Sequence, residues 1–152
     1  MNKLQYLAGF FDGEGCITAG PAKQRKSSKI TYKLSMALSN SDIRPLFLFK
    51  EYFGGSIIEQ KSSKTFKDRR KHYLWQSGGG KCNERCLKKL LPFLITKKEV
   101  ALAALEFRKY VLSTGINHSP EQKEILRKLA EHIRELNHGK SYVYNTELVQ
   151  KT

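Results

Sequence analysis

The chain has 152 residues and a formal net charge of +14 at pH 7, from 28 Lys and Arg against 14 Asp and Glu. That length supports one domain with a sizeable core, and so basic a chain calls for a polyanionic partner, either nucleic acid or an anionic membrane surface. No apolar run approaches the ~20 residues of a membrane span, the N-terminus lacks the pattern of a secretory signal, and Asp12 comes too early for an acid-poor mitochondrial leader.

The cysteines Cys16, Cys82 and Cys86 are an odd number without an export signal. That pattern implies reduced thiols and an intracellular location. The first predicted element is a helix capped by Asn2. Leu7, Phe10 and Phe11 recur at i, i+3 and i+4 as its apolar stripe. Its other side is bare, with Ala8, Gly9 and then Gly13 one turn further on. Two such glycines weaken a helix by about 1 kcal/mol each against alanine, but they let another backbone approach closely. Asp12 and Glu14 then fall where the helix ends, at its negative pole, which costs roughly 0.3–1 kcal/mol each at an exposed site. A compensating charge is expected there, and a divalent cation would supply it.

Cys16–Pro21 reads as a short strand. Ala22–Lys29 follows as a basic hairpin tip holding Lys23, Gln24, Arg25, Lys26 and Lys29. Ile30–Leu38 alternates cleanly, with Ile30, Tyr32, Leu34, Met36 and Leu38 on one face and Thr31, Lys33, Ser35 and Ala37 on the other. The outer face is polar, small and free of acids, which suits a ligand better than bulk water. Asn40-Ser41-Asp42 starts a second helix with Pro45 in its first turn, and Leu46, Phe47, Phe49 and Phe53 are its expected inward side. Ser56–Lys61 is a third strand. A second basic tip carries Lys61, Lys64, Lys67, Arg69, Arg70 and Lys71. His72–Ser77 is a fourth strand, with Tyr73 and Trp75 inward and His72, Leu74 and Gln76 outward.

Gly78-Gly79-Gly80 lacks the Gly-Lys-Ser/Thr of a phosphate-binding loop. Cys82 and Cys86 have no second pair and read as idle thiols rather than zinc ligands. A third helix breaks at Pro92. Lys98–Leu112 and then Ser119-Pro120 to Asn137 are two further helices. His132 is expected at the core edge of the last one, and residues 139–152 form a tail after a domain of residues 1–138.

The predicted order is an α+β arrangement, αββαββα, with a four-stranded antiparallel sheet and helices on one face. Its open face is expected to carry Thr18, Gly20, Thr31, Lys33, Ser35, Glu59 and Lys61, flanked by the two basic tips and His72. A major groove admits a two-stranded ribbon, and loop-tip lysines and arginines hold phosphates. A membrane-surface role would need a long basic amphipathic helix, and here the cations cluster on hairpin tips.

Leu7-Ala8-Gly9-Phe10-Phe11-Asp12-Gly13-Glu14-Gly15 closely resembles the name-giving motif of the LAGLIDADG homing endonucleases, and Leu91-Pro92-Phe93-Leu94-Ile95-Thr96-Lys97-Lys98 is similar to a second segment of that family. The resemblance runs to about Leu112 and its motif occurs once. It implies that Glu14 binds catalytic Mg²⁺, for which Mn²⁺ may substitute, with the Gly13 carbonyl as a further ligand and no organic cofactor. It makes Lys97, with Lys98 as the alternative, the lysine beside the scissile phosphate, Asp42 a polar group near the metal or else a helix cap alone, and Asp12 a structural acid at the helix end. With one motif per chain it implies a homodimer joined through Ala8, Gly9, Asp12 and Gly13. Such a dimer would form one saddle-shaped sheet surface and cut both strands of a pseudo-palindromic DNA site, leaving 3′ overhangs. Glu14 departs from the family's usual Asp by one methylene. An RNA-binding intron maturase and a non-catalytic DNA-binding regulator are the alternatives on the same scaffold.

Overall fold

The computed structural model describes residues 2–23, 26, 29–61, 71–115 and 117–138. Asn2 caps α1 (Lys3–Glu14) as expected, its side-chain oxygen accepting the Leu4 N–H at 3.0 Å. The buried face of α1 is Leu7, Ala8 and Phe11. Phe10 sits on the flank instead, stacked on Tyr6 with ring centroids 6.1 Å apart. Ala8 is fully buried in the chain's own core, so the expectation that it lies at a dimer interface is corrected. Ala8 lies three residues before Phe11 on the core face of α1, and Gly9 and Gly13 remain as its exposed bare side.

Two hairpins follow the two-helix logic of the sequence. β1 (Gly15–Lys23) pairs antiparallel with β2 (Ile30–Asn40), and β3 (Ser56–Gln60) pairs antiparallel with β4 (His72–Gln76). The sheet order is β1-β2-β4-β3. Directly paired residues share a face, and Ile17↔Met36, Ala19↔Leu34, Leu38↔Trp75 and Ile57↔Trp75 mark the inner one. Ile17, Leu34, Met36, Leu38 and Trp75 are all buried, and no residue of the opposite parity is. All the helices therefore pack on one face and leave the other open, as the alternation of Ile30–Leu38 foretold.

The register corrects one placement. Glu59 pairs with Tyr73 and so falls on the helix side of the sheet, and Lys61 beyond the strand end shares that parity; Ile58 and Gln60 take the open face. The less strict alternation of this strand hid its phase, because Ile57 and Ile58 are both apolar.

Asp42 caps α2 (Ile43–Phe53). Leu46, Phe49 and Phe53 are fully buried, while Phe47 is 53% exposed and not an inward residue. Phe49 is the aromatic centre, with ring centroids 6.0 Å from Phe11, 5.7 Å from Phe53 and 5.2 Å from Trp75. Gly55 has φ +87 and a Cβ there would lie 2.3 Å from the Gln76 carbonyl, so only glycine closes this link to the sheet.

The helix α3 (Gly80–Leu90) runs into a 3-10 turn over Leu91–Phe93. Cys86 is buried, which pushes its thiol well above the ordinary range, and the Cys82 thiol donates to the Phe53 carbonyl at 3.0 Å. The helices α4 (Lys98–Thr114) and α5 (Pro120–Asn137) complete the layer, the second opened by a capping box of Ser119 and Gln122. Leu102, Ile125 and His132 on these helices are exposed, so His132 is not a core-edge residue. Asn137 donates its side-chain amide to the Ile17 carbonyl at 2.7 Å. That bond lays α5 along the edge of β1 that β2 does not cover. The predicted tail, residues 139–152, lies outside the described residues.

Candidate active site and nucleic-acid face

The helix α1 passes into β1 without a loop, and the junction is closed by packing. A Cβ on Gly15 would lie 2.4 Å from the Phe11 ring and 2.6 Å from the Phe11 carbonyl. Only glycine lets the strand leave at this angle, and Glu14 is thereby held at the very end of the helix.

The two acids there meet opposite fates. Asp12 is half-buried, and three successive backbone N–H groups converge on its carboxylate: Ile95 at 3.0 Å and Thr96 at 2.9 Å on Oδ2, and Lys97 at 2.8 Å on Oδ1. Such a run of N–H groups is an anion-binding concavity, and it lies at the start of α4, whose dipole adds positive potential. Burial pushes the Asp12 carboxyl up, but the backbone bonds from Thr96, Lys97 and Ile95 with the Thr96 side-chain bond outweigh it, and the net displacement is downward. The Asp12 carbonyl accepts from the Thr96 hydroxyl at 3.2 Å and from Lys97 Nζ at 2.5 Å. Its carboxylate is thus spent inside the chain, not turned toward a partner as the interface expectation had it. Glu14 is exposed and makes no hydrogen bond or ion pair among the described residues.

Lys97 occupies the N-cap position of α4 with no side-chain cap bond. The cap of this helix start comes instead from the Asp12 carboxylate, which accepts the Lys97 N–H. Sequence reasoning missed Ile95 and Thr96 as partners of Asp12 because 83 residues or more separate them.

Gly15 pairs with Leu38, so Asp42, four residues past Leu38, sits at the same end of the β1–β2 ladder as Glu14. Its carboxylate is engaged: Oδ1 accepts the Arg44 N–H at 3.0 Å, and the Arg44 guanidinium binds both oxygens at 2.5–3.0 Å. That guanidinium holds the Asp42 carboxyl down to about 2. Among the described residues no three His, Cys, Asp or Glu gather as a metal cluster. The oxygens available at the α1 terminus are the Glu14 carboxylate and the Gly13 carbonyl. Both are hard donors suited to Mg²⁺ or Mn²⁺, and one chain alone supplies too few.

The open sheet face presents Thr18, Gly20, Thr31, Lys33, Ser35, Ser39, Gln60, His72 and Gln76, with Leu74 and Ile58 among them. Lys33 is its one charged residue among the described ones, and no acid stands there. The Ser39 hydroxyl donates to Gln60 Oε1 at 3.1 Å, a bond across the outer surface of the sheet. At the margins Lys26 and Lys29 are exposed, as is Lys61. Glu59 is paired with Lys71 at 3.6 Å on the helix-side edge. Gln24, Arg25, Lys64, Arg69 and Arg70 lie outside the described residues. A cavity of about 800 Å³ opens between the β1 edge and α5, with Lys97, Arg134 and His138 in its wall.

The described residues thus combine an antiparallel four-stranded sheet, one face of which is open and free of acids, with an exposed acid at the α1–β1 junction. The LAGLIDADG endonuclease family model matches residues 7–73, and the chain has the fold of solved LAGLIDADG homing endonucleases. It is similar to the homing endonuclease I-CvuI, solved in complex with the I-CreI target: 25% identity, 88% of this chain and 81% of that one covered, TM-score 0.67. It shares the fold of the archaeal intron-encoded homing endonuclease I-Vdi141I, solved complexed with DNA, at 21% identity, 88% and 83% coverage and TM-score 0.71. It shares the fold of I-SmaMI at 16% identity and TM-score 0.66, covering 89% of this chain and 45% of that one. No curated protein sequence matches the chain.

Proposed function

We propose that the chain is a site-specific, intracellular DNA endonuclease that acts as a homodimer, hydrolysing both strands of a long pseudo-palindromic site to leave 3′ overhangs. The observation that carries this reading is the division of labour at the end of α1: Asp12 is saturated by the chain itself, while Glu14, two residues on, is exposed and unclaimed. Gly9 and Gly13 support a two-fold contact, because a Cβ at either meets nothing within 4 Å in the single chain. An isologous pairing of α1 helices would bring two Glu14 carboxylates and two Gly13 carbonyls to one axis. These oxygens, with DNA phosphate oxygens, would hold Mg²⁺ or Mn²⁺; a divalent ion there supplies an activated water and a counter-charge for the leaving oxygen. Lys97 offers an ammonium to the scissile phosphate. Thr18, Thr31, Lys33, Ser35 and His72 face the bases or backbone, and Lys26, Lys29 and Lys61 hold phosphates alongside Gln24, Arg25, Lys64, Arg69 and Arg70.

Selection of cut sites from a randomised palindromic duplex library, with Mg²⁺ or Mn²⁺ present, tests the proposal. Wild-type protein is expected to cleave a defined subset, and Glu14→Gln to bind the same sites without cleaving. Cleavage by Glu14→Gln at the wild-type rate would overturn the assignment, and selective binding of intron RNA with no duplex cut would favour a maturase.

A further inference from the structure

Lys97 is tied to α1 at both ends of the residue. Its N–H donates to the Asp12 carboxylate at 2.8 Å and its ammonium to the Asp12 carbonyl at 2.5 Å. The Lys97 carbonyl in turn accepts the Ala101 N–H of α4 at 2.9 Å. Leu94 is buried, but Ile95 beside it is 84% exposed and Thr96 is exposed. Apolar packing therefore fixes the chain up to Leu94, and polar bonds to the carboxylate and carbonyl of Asp12 follow through Lys97. Asp12 and Glu14 share the last turn of α1, so whatever ties Lys97 to Asp12 also sets it relative to Glu14.

We infer that Asp12 is a positioning residue for the proposed cleavage reaction, its carboxylate clamping the N–H groups of Ile95, Thr96 and Lys97 so that the Lys97 ammonium and the Glu14 carboxylate are presented together. This rests on the endonuclease reading above. The clamp needs a carboxylate specifically. Three N–H donors converge on two acceptor oxygens, and an asparagine would offer one oxygen and turn an NH₂ toward the remaining donor, leaving donor against donor. A misplacement of about 1 Å in a reacting group costs up to ~10²-fold in rate, which sets the size of the expected effect.

The test has two arms. In wild-type protein, amide hydrogen exchange at Ile95, Thr96 and Lys97 is expected to be slowed at least ~10-fold against unstructured peptide, although all three precede α4; exchange at peptide rates overturns the clamp without any variant being made. In the second arm, Asp12→Asn is expected to lower single-turnover cleavage by ~10- to 100-fold while leaving the Kd for DNA within about twofold. Combined with Lys97→Ala it should add nothing to the loss caused by Lys97→Ala alone. Unchanged cleavage by Asp12→Asn, or losses that add in full, overturns the positioning role. Should wild-type protein cut no duplex, the endonuclease reading falls and the reaction role with it, and the exchange arm still decides whether the clamp exists.

Discussion

Gly9 provides the sharpest division between a chain that works alone and one that works in pairs. It lies in the middle of α1, exposed, and a Cβ there meets nothing within 4 Å. In an isolated chain Gly9→Ala is pure gain: about 1 kcal/mol of helix propensity, or about 2–4 °C in Tm for a chain of this size. If two α1 helices pack through this face, each added methyl enters a contact built for backbone, at an overpacking cost of about 1–3 kcal/mol. The isologous contact repeats the cost, giving about 2–6 kcal/mol, or roughly 30-fold to 10⁴-fold in the dimer Kd. The propensity gain is common to free and paired chains and cancels from that ratio. Sedimentation velocity over a concentration series, with calorimetric Tm on the same samples, reads both terms. Expected is a variant that is more heat-stable when dilute yet far weaker in self-association, with cleavage reduced in proportion. A variant that gains Tm at every concentration and both associates and cleaves as wild type would refute pairing through Gly9.

Other expectations follow from single contacts. Gly15→Ala drives a Cβ to 2.6 Å from the Phe11 carbonyl; thermal melts should show a loss of about 1–3 kcal/mol, and DNA cleavage should fall because Glu14 moves with the junction. Phe49→Ala empties the aromatic centre against Phe11, Phe53 and Trp75, and urea unfolding should report about 3–5 kcal/mol lost. NMR titration should find the Asp42 carboxyl with a midpoint of about 2, and Arg44→Ala should raise it toward the ordinary value near 3.9. Because the folded-state value is depressed, the contribution of this cap is present above the unfolded pKa and is lost as pH falls through about 2.

Much of the fold was legible because its local rules agree with one another. Asn2, Asp42 and Ser119 each cap the helix they precede, and the alternation over Ile30–Leu38 read the two faces of its strand, although Ile30 at the strand's start is exposed. Legibility failed where a rule leaves two answers. Ile57 and Ile58 are both apolar, so strand phase could be fixed only by pairing with Trp75 and Leu74. Ala8 counts as small on one side of α1 and as apolar on the other, and the core claimed it. Phe47 was assigned inward on hydrophobicity, yet the helix had already filled that stripe with Leu46, Phe49 and Phe53.

The end of α1 shows the deeper limit. Two carboxylates at a helix C-terminus imply compensation, and the sequence alone offers a cation for both. The structure separates them: α4 brings its N–H groups and Lys97 to Asp12, so a positive helix end and an ammonium meet a negative helix end and a carboxylate. Nothing near position 12 in the chain announces this, since the partners are 83 to 85 residues away. The same saturation gives Glu14 its meaning. With the neighbouring charge answered internally, Glu14 is the acid of this turn left without a partner among the described residues, and under the proposed metal role replacing it by Gln should cost the folded protein little while weakening divalent-ion binding. A calorimetric titration of Mg²⁺ into the DNA complex of Glu14→Gln that still showed wild-type binding would break this chain of reasoning at its last link.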